Sequence, residues 1–298
     1  MYSVSKHTVQ VNCWIALTKA RSEFSHTLDR YGYKCDYIEK SISVDGDVAK
    51  PDVVLTSRNE QHSIFVDCKG RGVDDEQHLR YKKLEDNTEV SLGYSRFKDD
   101  LDKSKYYGEL CYSSFTDLSR EPAIISHPTA VVHFENTTSG MFLSNPHEFN
   151  SSTVNSAFPI NMDRNEKIPI EYYPFDIEQS EDYTEFVSAL IQAVLRTAMR
   201  DGILDVEEVL NEAHPYWENI GKKKREQYIS EAKKVMVKLE QENIMGFIEN
   251  IAETDTEWKV HHKTADAIQD RLGDPEYIEE IAGVVEQSTF DENGELVK

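Results

Sequence analysis

The sequence predicts an α/β core followed by a mainly helical C-terminal part. Three short runs at 34–44, 52–56 and 63–67 are rich in apolar and β-branched residues and are separated by polar turns, a pattern typical of strands. Apolar residues recur at helical spacing over 8–31, before these runs, and again over much of the chain beyond residue 182. We therefore expect a sheet flanked by helices in the N-terminal half and a helical unit after it.

The elements of the core are expected in the order helix, three strands, helix, strand. Gly32 follows the helical spacing of 8–31 and is expected to end the first helix. The second and third strand runs flank the polar turn 57–61 and are expected to pair as a hairpin. Acidic residues at 74–76 favour the start of the next helix, because they lie at the positive end of its dipole.

Two further segments complete the core. The apolar run 130–134 predicts another buried strand. The segment 86–120 is polar and rich in tyrosine, and we expect it to form helix and loop along one edge of the core. Together with the preceding elements, these segments define a predicted α/β domain at 1–135, which is an ordinary size for a domain.

The composition changes after this domain. Residues 136–181 are rich in Asn, Ser, Thr and Pro, which predicts an extended connector with one added strand at 168–173. A helical domain is expected at 182–263. The last 35 residues, 264–298, hold ten acidic side chains against two basic ones, which predicts an acidic C-terminal tail.

The predicted helical domain has the element order of a winged helix. Helical spacing is present over 182–200, 205–213 and 222–242. Two short alternating segments, 246–251 and 257–260, are expected to pair as a two-stranded ribbon. Three helices and a ribbon together describe a winged helix-turn-helix, a unit that serves in DNA binding and in protein docking.

The chain of 298 residues carries a formal net charge of −22, the most unusual value in its composition. Proteins that bind nucleic acid usually present a basic surface, so this charge counts against a simple DNA-binding surface. The acidity fits either a surface suited to high salt or a protein whose substrate is delivered by a partner. Both interpretations leave room for a local basic patch.

Targeting signals and metal-site cysteines are not evident. No segment is apolar over the length of a membrane span, and the N-terminus lacks the pattern of a signal peptide. We therefore expect a cytoplasmic protein that does not enter a membrane. The cysteines lack the spacing of a metal site or of a disulfide framework. The residues expected to be buried free thiols are Cys13, Cys35, Cys68 and Cys111.

The stretch Asp67-Cys68-Lys69 at the end of the third strand run carries the strongest chemical signal. Side chains alternate along a strand, so Asp67 and Lys69 are expected on the same face. The predicted hairpin brings Asp52 beside Asp67, and Mg²⁺ typically takes one or two carboxylates. Together with the Cys68 carbonyl and a lysine that orients or deprotonates water, they suit hydrolysis of a phosphodiester. The alternative is an ion pair between Asp67 and Lys69 on a solvated edge strand.

Gln77 and Tyr81 are four residues apart and share a face of the helix after this strand. Gln can bond a water or a phosphate, and Tyr can bond or stack on nucleic acid. The motifs Pro51-Asp52, Asp67-Cys68-Lys69 and Gln77-x-x-x-Tyr81 together resemble the PD-(D/E)xK nuclease superfamily, and more closely its RecB-type branch. The resemblance covers 8–135. The alternative for Gln77 and Tyr81 is an ordinary helix surface.

The resemblance implies a restriction-endonuclease-like fold, with a mixed β-sheet core flanked by helices, and metal-dependent cleavage of DNA. It implies Asp52 and Asp67 as ligands of Mg²⁺ or Mn²⁺ and Lys69 as the catalytic lysine. The family often places an acid or a histidine of the first helix near the metal, and Glu23 and His26 are the two candidates. Some RecB-type exonucleases hold an iron–sulfur cluster through one early and three late cysteines. This chain lacks the late triplet, so no cluster is expected.

The densest basic cluster consists of Lys222, Lys223, Lys224 and Arg225, at the start of the third predicted helix of the winged helix. In a winged helix this element enters the major groove, so the cluster is expected to contact DNA phosphates. The alternative is a solvated helix start, although cations at this end oppose the helix dipole.

The leading hypothesis is a Mg²⁺-dependent deoxyribonuclease that serves a restriction, antiviral defence or repair system. The chain has no Gly-x-x-x-x-Gly-Lys-Ser/Thr loop, so an ATP-driven step needs a helicase or ATPase subunit. The second hypothesis is a non-catalytic DNA- or protein-binding subunit with a nuclease-like scaffold. The third is a transcriptional regulator that acts through 180–263. The sequence leaves open endonuclease or exonuclease mode, DNA or RNA as substrate, and whether the protein is an oligomer.

Overall fold

The protein is described by a computed structural model, in which two compact units are distinguished. The sheet unit falls in Lys6–Tyr172 and Asn219–Lys223, and the helical unit falls in Met1–Ser5, Tyr173–Glu218 and Lys224–Lys298. The prediction of an α/β protein is confirmed. The residues that the structure describes are 4–20, 23–137, 140–162, 167–200, 202–241, 248–251, 256–260, 276–279, 281–282, 289–290 and 296–297.

A seven-stranded mixed sheet forms the centre of the sheet unit, with the strand order β1-β4-β5-β6-β7-β8-β9. The first three strands in this order are antiparallel, β6 and β7 continue parallel to β5, and β8 and β9 are antiparallel again. A separate hairpin is formed by β2 and β3. The strands are β1 (Tyr33–Ile38), β2 (Ile42–Val44), β3 (Asp47–Ala49), β4 (Val53–Ser57), β5 (His62–Lys69), β6 (Tyr107–Ser114), β7 (Ala130–Thr137), β8 (Gly140–His147) and β9 (Ile160–Asn161).

Five α-helices accompany this sheet among the residues that the structure describes. The second is capped by the side chain of Asp74, which accepts the backbone N–H of Gln77, and its first turn carries the predicted acidic residues. Its buried residues Tyr81 and Leu84 pack into a core cluster with Phe65 of β5 and Tyr112 of β6. The helices are α1 (Lys6–Ala16), α2 (Asp75–Asp86), α3 (Thr88–Tyr94), α4 (Pro122–Ser126) and α5 (Ser152–Asn155).

The predicted hairpin of the second and third strands is confirmed, because β4 pairs antiparallel with β5. The prediction of helix and loop throughout 86–120 is wrong, because β6 lies within this segment. It pairs in parallel with β5 on one side and with β7 on the other. The strand is buried over 108–114 although it contains glutamate and serine. Its polar composition therefore does not indicate a buried strand.

The first helix is shorter than predicted, because α1 ends at Ala16 instead of continuing to residue 31. The chain then folds back, and the backbone N–H of Leu28 donates to the carbonyl of Leu17 at 2.7 Å. Leu28 is buried from a short 3-10 turn, which Gly32 closes with a φ of 81°. Apolar spacing beyond residue 16 therefore reflects burial of a loop.

The sheet continues beyond residue 135 through the rest of β7 and through β8 and β9. The strand predicted at 168–173 is absent from the described residues 167–173, which have no regular secondary structure. Pro169 and Pro174 lie in and beside this segment, and proline removes the backbone donor that a strand ladder needs.

The described part of the helical unit includes α6, α7, most of α8 and further helical residues at 276–279 and 281–282. It also includes a three-stranded antiparallel sheet with the order β10-β12-β11. The first of these strands was not evident from the sequence pattern. Most of the predicted acidic tail at 264–298 lies outside the described residues. Within the described part of the chain, no helix is long and apolar enough to cross a membrane. The elements are α6 (Tyr183–Arg200), β10 (Ile203–Asp205), α7 (Val206–Ala213), α8 (Lys222–Gln241), β11 (Ile248–Asn250), β12 (Glu257–Val260), β13 (Thr289–Phe290) and β14 (Leu296–Val297).

Candidate active site

The hairpin of β4 and β5 brings the two predicted carboxylates together. Val53 pairs with Val66, and the backbone N–H of Asp52 donates to the carbonyl of Val66 at 2.8 Å. Asp52 therefore lies one residue before β4, opposite the part of β5 that carries Asp67. The two carboxyl groups are close enough for the charge of Asp52 to act on Asp67. The backbone N–H of Cys68 also donates to Asp52 Oδ2, at 2.6 Å.

Lys69 and Gln77 form one polar cluster with Asp67. Lys69 Nζ lies 2.7 Å from Asp67 Oδ2 and donates to Gln77 Oε1 at 2.6 Å. The Gln77 side-chain amide donates in turn to Asp67 Oδ2 at 3.3 Å. The N-cap of α2 helps to place Gln77, because the backbone N–H of Gln77 donates to Asp74 Oδ1 at 2.8 Å. All three side chains are therefore within hydrogen-bonding distance of one another.

The two carboxyl groups differ in their affinity for a proton. Burial and the negative charge of Asp52 raise the pKa of Asp67 to about 7, although Lys69 opposes the shift. Burial also disfavours the charged form of Asp52. The charge and hydrogen bond of His7 and the N–H of Cys68 outweigh burial, so the pKa of Asp52 is lowered. Neighbouring carboxyl groups of which one has a raised pKa and the other a lowered pKa are typical of functional sites.

We expect Asp67→Asn to stabilise the metal-free protein at alkaline pH. The pKa of Asp67 is about 7 in the folded protein, against about 4 for an unfolded aspartate. The contribution of Asp67 to stability is therefore full below about pH 4 and is lost as the pH rises through about 7. An amide does not ionise, so the variant keeps that contribution, on the order of 1–3 kcal/mol.

Thermal unfolding in EDTA checks this expectation. The gain in Tm of Asp67→Asn over the wild type should be small near pH 4, increase up to about pH 7 and then level off. A gain that does not depend on pH would contradict the raised pKa of Asp67. Asn at this position would then act through packing alone.

His7, the second residue of α1, contacts the carboxylate pair and escaped the sequence prediction. Its Nε2 lies 3.3 Å from Asp52 Oδ1, and both side chains are largely buried. The resemblance calls for an acid or a histidine on the first helix, but the apolar spacing begins the helix at residue 8. His7 could have been predicted from its position just before the apolar spacing, because a helix often extends one or two residues beyond its apolar pattern.

Neither of the predicted first-helix candidates lies on α1. Glu23 is in a bend beyond the helix, where burial and the charge of Glu23 raise the pKa of Tyr172 to about 12. His26 is exposed. The first helix instead places His7 beside Asp52.

Tyr81 holds the backbone that leads into β4. Its hydroxyl donates to the carbonyl of Lys50 at 2.5 Å and accepts the backbone N–H of Lys50 at 3.2 Å. The side chain is buried, so its ring has no free face for stacking on a base. Because Lys50 lies two residues before Asp52, Tyr81 is a positioning residue for that carboxylate.

The donors at this site fit a hard cation such as Mg²⁺ or Mn²⁺. Asp52 and Asp67 are two neighbouring, largely buried carboxyl groups, and a cation would relieve their mutual repulsion. Among the described residues, no group of three or more His, Cys, Asp or Glu side chains is arranged to hold a metal ion. Mg²⁺ keeps several waters and binds through one or two carboxylates, so it does not need such a group. Cys68 can offer only its carbonyl, because burial raises the pKa of its thiol.

The basic cluster predicted to contact DNA is divided at the start of α8. Lys222 and Lys223 are exposed, whereas Lys224 is buried. Lys224 Nζ lies 2.6 Å from Asp176 Oδ1 inside the helical unit. Arg225 is half-buried, and its guanidinium lies 6.0 Å from the centroid of an aromatic ring of the same unit. The prediction for Lys224 is therefore corrected: it is the partner of an internal carboxylate and is not available to DNA.

Comparison with known proteins identifies a family for this arrangement. The family model of the MJECL32 domain matches residues 6–173, which is more than half of the chain. The chain belongs to the MJECL32 domain family. The MJECL32 domain thus contains every residue of the candidate active site, from His7 to Tyr81. A second family model, a domain of unknown function (DUF8601), matches residues 179–293.

One curated relative carries the same name as the domain. The uncharacterized protein MJECL32 of Methanocaldococcus jannaschii is 23% identical to this chain over 207 residues, which cover 65% of the chain and 47% of the relative. The chain therefore spans about half the length of this relative. No solved structure matches the chain.

Proposed function

We propose that this member of the MJECL32 domain family is a metal-dependent nuclease that hydrolyses phosphodiester bonds in DNA. The observation that carries the proposal is the convergence of Asp52, Asp67, Lys69 and Gln77 at one end of the β4–β5 hairpin. An ion pair on a solvated edge strand does not account for this convergence. β5 is an inner strand between β4 and β6, and Asp67 is only 5% exposed.

The connectivity of the sheet unit supports the same proposal. α1, the antiparallel strands β1, β4 and β5, the helices α2 and α3 and the parallel strand β6 follow one another along the chain. This is the order helix, three strands, helix, strand that accompanies the resemblance to PD-(D/E)xK nucleases. We therefore propose a restriction-endonuclease-like fold for the sheet unit, with the hairpin β2–β3 as an insertion.

Each side chain of the cluster has a defined role in the proposed reaction. Asp52 and Asp67 would hold Mg²⁺ or Mn²⁺, which when bound would polarise the phosphodiester and lower the pKa of a water. Lys69 orients or deprotonates the attacking water and offsets negative charge on the phosphate oxygens. Gln77 accepts an N–H of Lys69 and so fixes the direction of its ammonium. Tyr81 fixes the chain before Asp52.

Cleavage assays on linear, circular and single-stranded DNA in Mg²⁺, in Mn²⁺ and in EDTA test the proposal. We expect metal-dependent cleavage of at least one of these substrates and none in EDTA. Cleavage of circular DNA would identify an endonuclease, and cleavage confined to linear DNA would identify an exonuclease. Complete inactivity on every DNA substrate, together with no metal binding in calorimetry, would reject the proposal.

His7→Ala should move the acid limb of the pH–rate profile to higher pH. His7 holds the pKa of Asp52 below its usual range, so Asp52 remains charged where a buried carboxyl group alone would bind a proton. Without His7, burial raises the pKa of Asp52, and activity is lost at a higher pH as the pH falls. The measurement is kcat/KM for DNA between about pH 5 and pH 9.

The matched control for this variant is His26→Ala, since His26 is exposed and not on α1. Its pH–rate profile should coincide with that of the wild type. If His7→Ala lowers kcat/KM by the same factor at every pH, the histidine does not act through the charge of Asp52.

The helical unit favours a second candidate function. Its elements follow the order α6, β10, α7, α8, β11, β12, and β10, β12 and β11 form one antiparallel sheet. We propose that these elements form a winged helix that binds DNA or docks a protein. The exposed cations Lys222 and Lys223 begin α8 but are grouped with the sheet unit. In a non-catalytic subunit or a transcriptional regulator, this unit would bind and the sheet unit would serve as a scaffold.

Calorimetry separates these two functions. Binding of Mg²⁺ or Mn²⁺ that is lost in Asp67→Asn supports the nuclease, whereas DNA binding without any metal binding supports the non-catalytic subunit.

For the nuclease we propose a cytoplasmic restriction, antiviral defence or repair system in which a helicase or ATPase subunit supplies any ATP-driven step.

A further inference from the structure

A group of cations and aromatic rings on the sheet unit differs in charge from the rest of this acidic chain. Lys40 follows β1, and Arg96 and Lys98 follow α3. Tyr37 and Tyr94 lie among these cations. We call these five residues, which are all half-buried or exposed, the basic–aromatic patch.

Two cations of the patch, Lys40 and Arg96, lie near its aromatic rings. Lys40 Nζ lies 3.3 Å from the centroid of the Tyr37 ring and 5.3 Å from that of Tyr94. The guanidinium of Arg96 lies 5.9 Å from the centroid of Tyr37. Lys40 Nζ donates to the carbonyl of Tyr94 at 2.8 Å, which uses one of its three N–H donors. Donors of Lys40 are therefore left for a ligand.

The backbone of the patch is built before any ligand binds. A β-bulge between Cys35 and Tyr37 turns Asp36 into the interior, where its side chain is buried. Asp36 accepts the hydroxyl of Ser95 at 2.6 Å and the backbone N–H of Arg96 at 3.0 Å. The segment that carries Arg96 is thus tied to β1 by a buried carboxylate. This fixed geometry reduces the entropy that binding would otherwise cost.

The three cations of the patch repel one another in the free protein. Burial lowers the pKa of Lys40 to about 8, Asp36 opposes this shift, and Arg96 and Lys98 add to it. An anion placed among the cations relieves this repulsion. The patch is therefore suited to a ligand that carries several negative charges at fixed spacing.

The patch lies beside the carboxylate pair on the same sheet. The backbone N–H of Glu39 donates to the carbonyl of Asp52 at 2.9 Å, and Lys40 is the next residue. Glu39 Oε2 also lies 2.7 Å from Lys50 Nζ. A backbone hydrogen bond and an ion pair thus both join the segment before Lys40 to the segment around Asp52. The chain segments that carry Lys40 and Asp52 therefore lie next to each other.

We propose that the basic–aromatic patch binds backbone phosphates of the DNA strand next to the phosphate that is cleaved. This inference rests on the proposed nuclease function and names the surface that receives the substrate. Most of the chain repels DNA, because the net charge is −22. Productive contact is confined to the place where cations and the active site adjoin, so the acidity of the protein directs DNA to the patch.

The test compares two charge-matched double variants of the full chain. Arg96→Gln/Lys98→Gln removes two exposed cations of the patch, and Lys103→Gln/Lys105→Gln removes two exposed cations elsewhere on the sheet unit. Both leave Lys40 and the Asp36 anchor in place, and circular dichroism checks that both fold. Binding of fluorescent single-stranded and duplex DNA is measured in EDTA by anisotropy as a function of salt. Hydrolysis of bis(4-nitrophenyl) phosphate in Mn²⁺ reports on the active site alone.

We expect the patch variant to bind DNA about 10-fold more weakly, because each lost phosphate contact costs affinity and lowers the salt slope by about 0.7–0.9. Its kcat/KM on DNA should fall by a similar factor while hydrolysis of the small diester is unchanged. The control variant should match the wild type within about twofold. Equal DNA affinity and salt slope in the patch variant and the control would overturn the inference. Loss of DNA affinity in a protein that hydrolyses neither substrate would retain the patch and reject the nuclease.

Discussion

Lys69→Met should reduce DNA cleavage by about 10³-fold, because it removes the group that we propose both prepares the attacking water and stabilises charge on the phosphate. The methionine side chain has a similar length, so the packing of Lys69 beside Tyr112 is largely kept. The Asp67 carboxylate remains, and Mg²⁺ binding measured by calorimetry should persist. The measurement is kcat under saturating DNA in Mg²⁺.

Lys83→Met is the matched control for Lys69→Met. Lys83 lies on α2, is exposed, and pairs with Asp47 at the surface. Its variant should cleave DNA at the wild-type rate within about twofold. If Lys69→Met also retains wild-type kcat, Lys69 has no role in the chemical step and the proposed mechanism is wrong.

Lys224→Met should destabilise the helical unit by about 3–5 kcal/mol. The side chains of Lys224 and Asp176 are 0% and 1% exposed, and their charged atoms are 2.6 Å apart. Removal of the lysine leaves the carboxylate buried with its charge uncompensated. Urea unfolding, followed by circular dichroism and tryptophan fluorescence, should show a lower midpoint.

Lys223→Met provides the comparison, because Lys223 is the neighbour of Lys224 in the sequence and its side chain is exposed. This variant should change the free energy of unfolding by no more than about 0.5 kcal/mol. The double variant Lys224→Met/Asp176→Asn should recover part of the loss, because it removes the uncompensated charge. Equal midpoints for Lys224→Met and Lys223→Met would show that the buried ion pair does not stabilise the unit.

The parts of the candidate site that are close in sequence could be predicted, because short-range rules govern them. Alternation along a strand puts Asp67 and Lys69 on one face, and a short polar turn is enough to pair β4 with β5. Helical spacing and the N-cap at Asp74 bring Gln77 to the same cluster. The chemistry of the site therefore follows from fewer than thirty consecutive residues.

β6 could not be predicted, because its polar side chains are satisfied by distant parts of the chain. The hydroxyl of Ser113 donates to Gln10 Oε1 at 3.1 Å, and Glu109 accepts the backbone N–H of Asn150. Such partners leave no local pattern in the sequence, so an inner strand resembles a surface loop.

The spacing of apolar residues predicted which residues are buried, but at two places it predicted the wrong secondary structure for them. Leu28 is buried from a turn beyond α1, and Tyr173 is buried at the end of a segment without strand structure. His7 was missed for a related reason, because the polar first turn of α1 lies outside the apolar pattern.

The position of α2 has a mechanical consequence. Gln77 accepts a hydrogen bond from Lys69 at the end of β5. One helical turn later, the Tyr81 hydroxyl donates to the carbonyl of Lys50, shortly before β4. A single rigid helix thus holds both arms of the hairpin that carries the carboxylates. A displacement of α2 would therefore move both arms of the hairpin, and with them both carboxylates of the candidate site, at the same time.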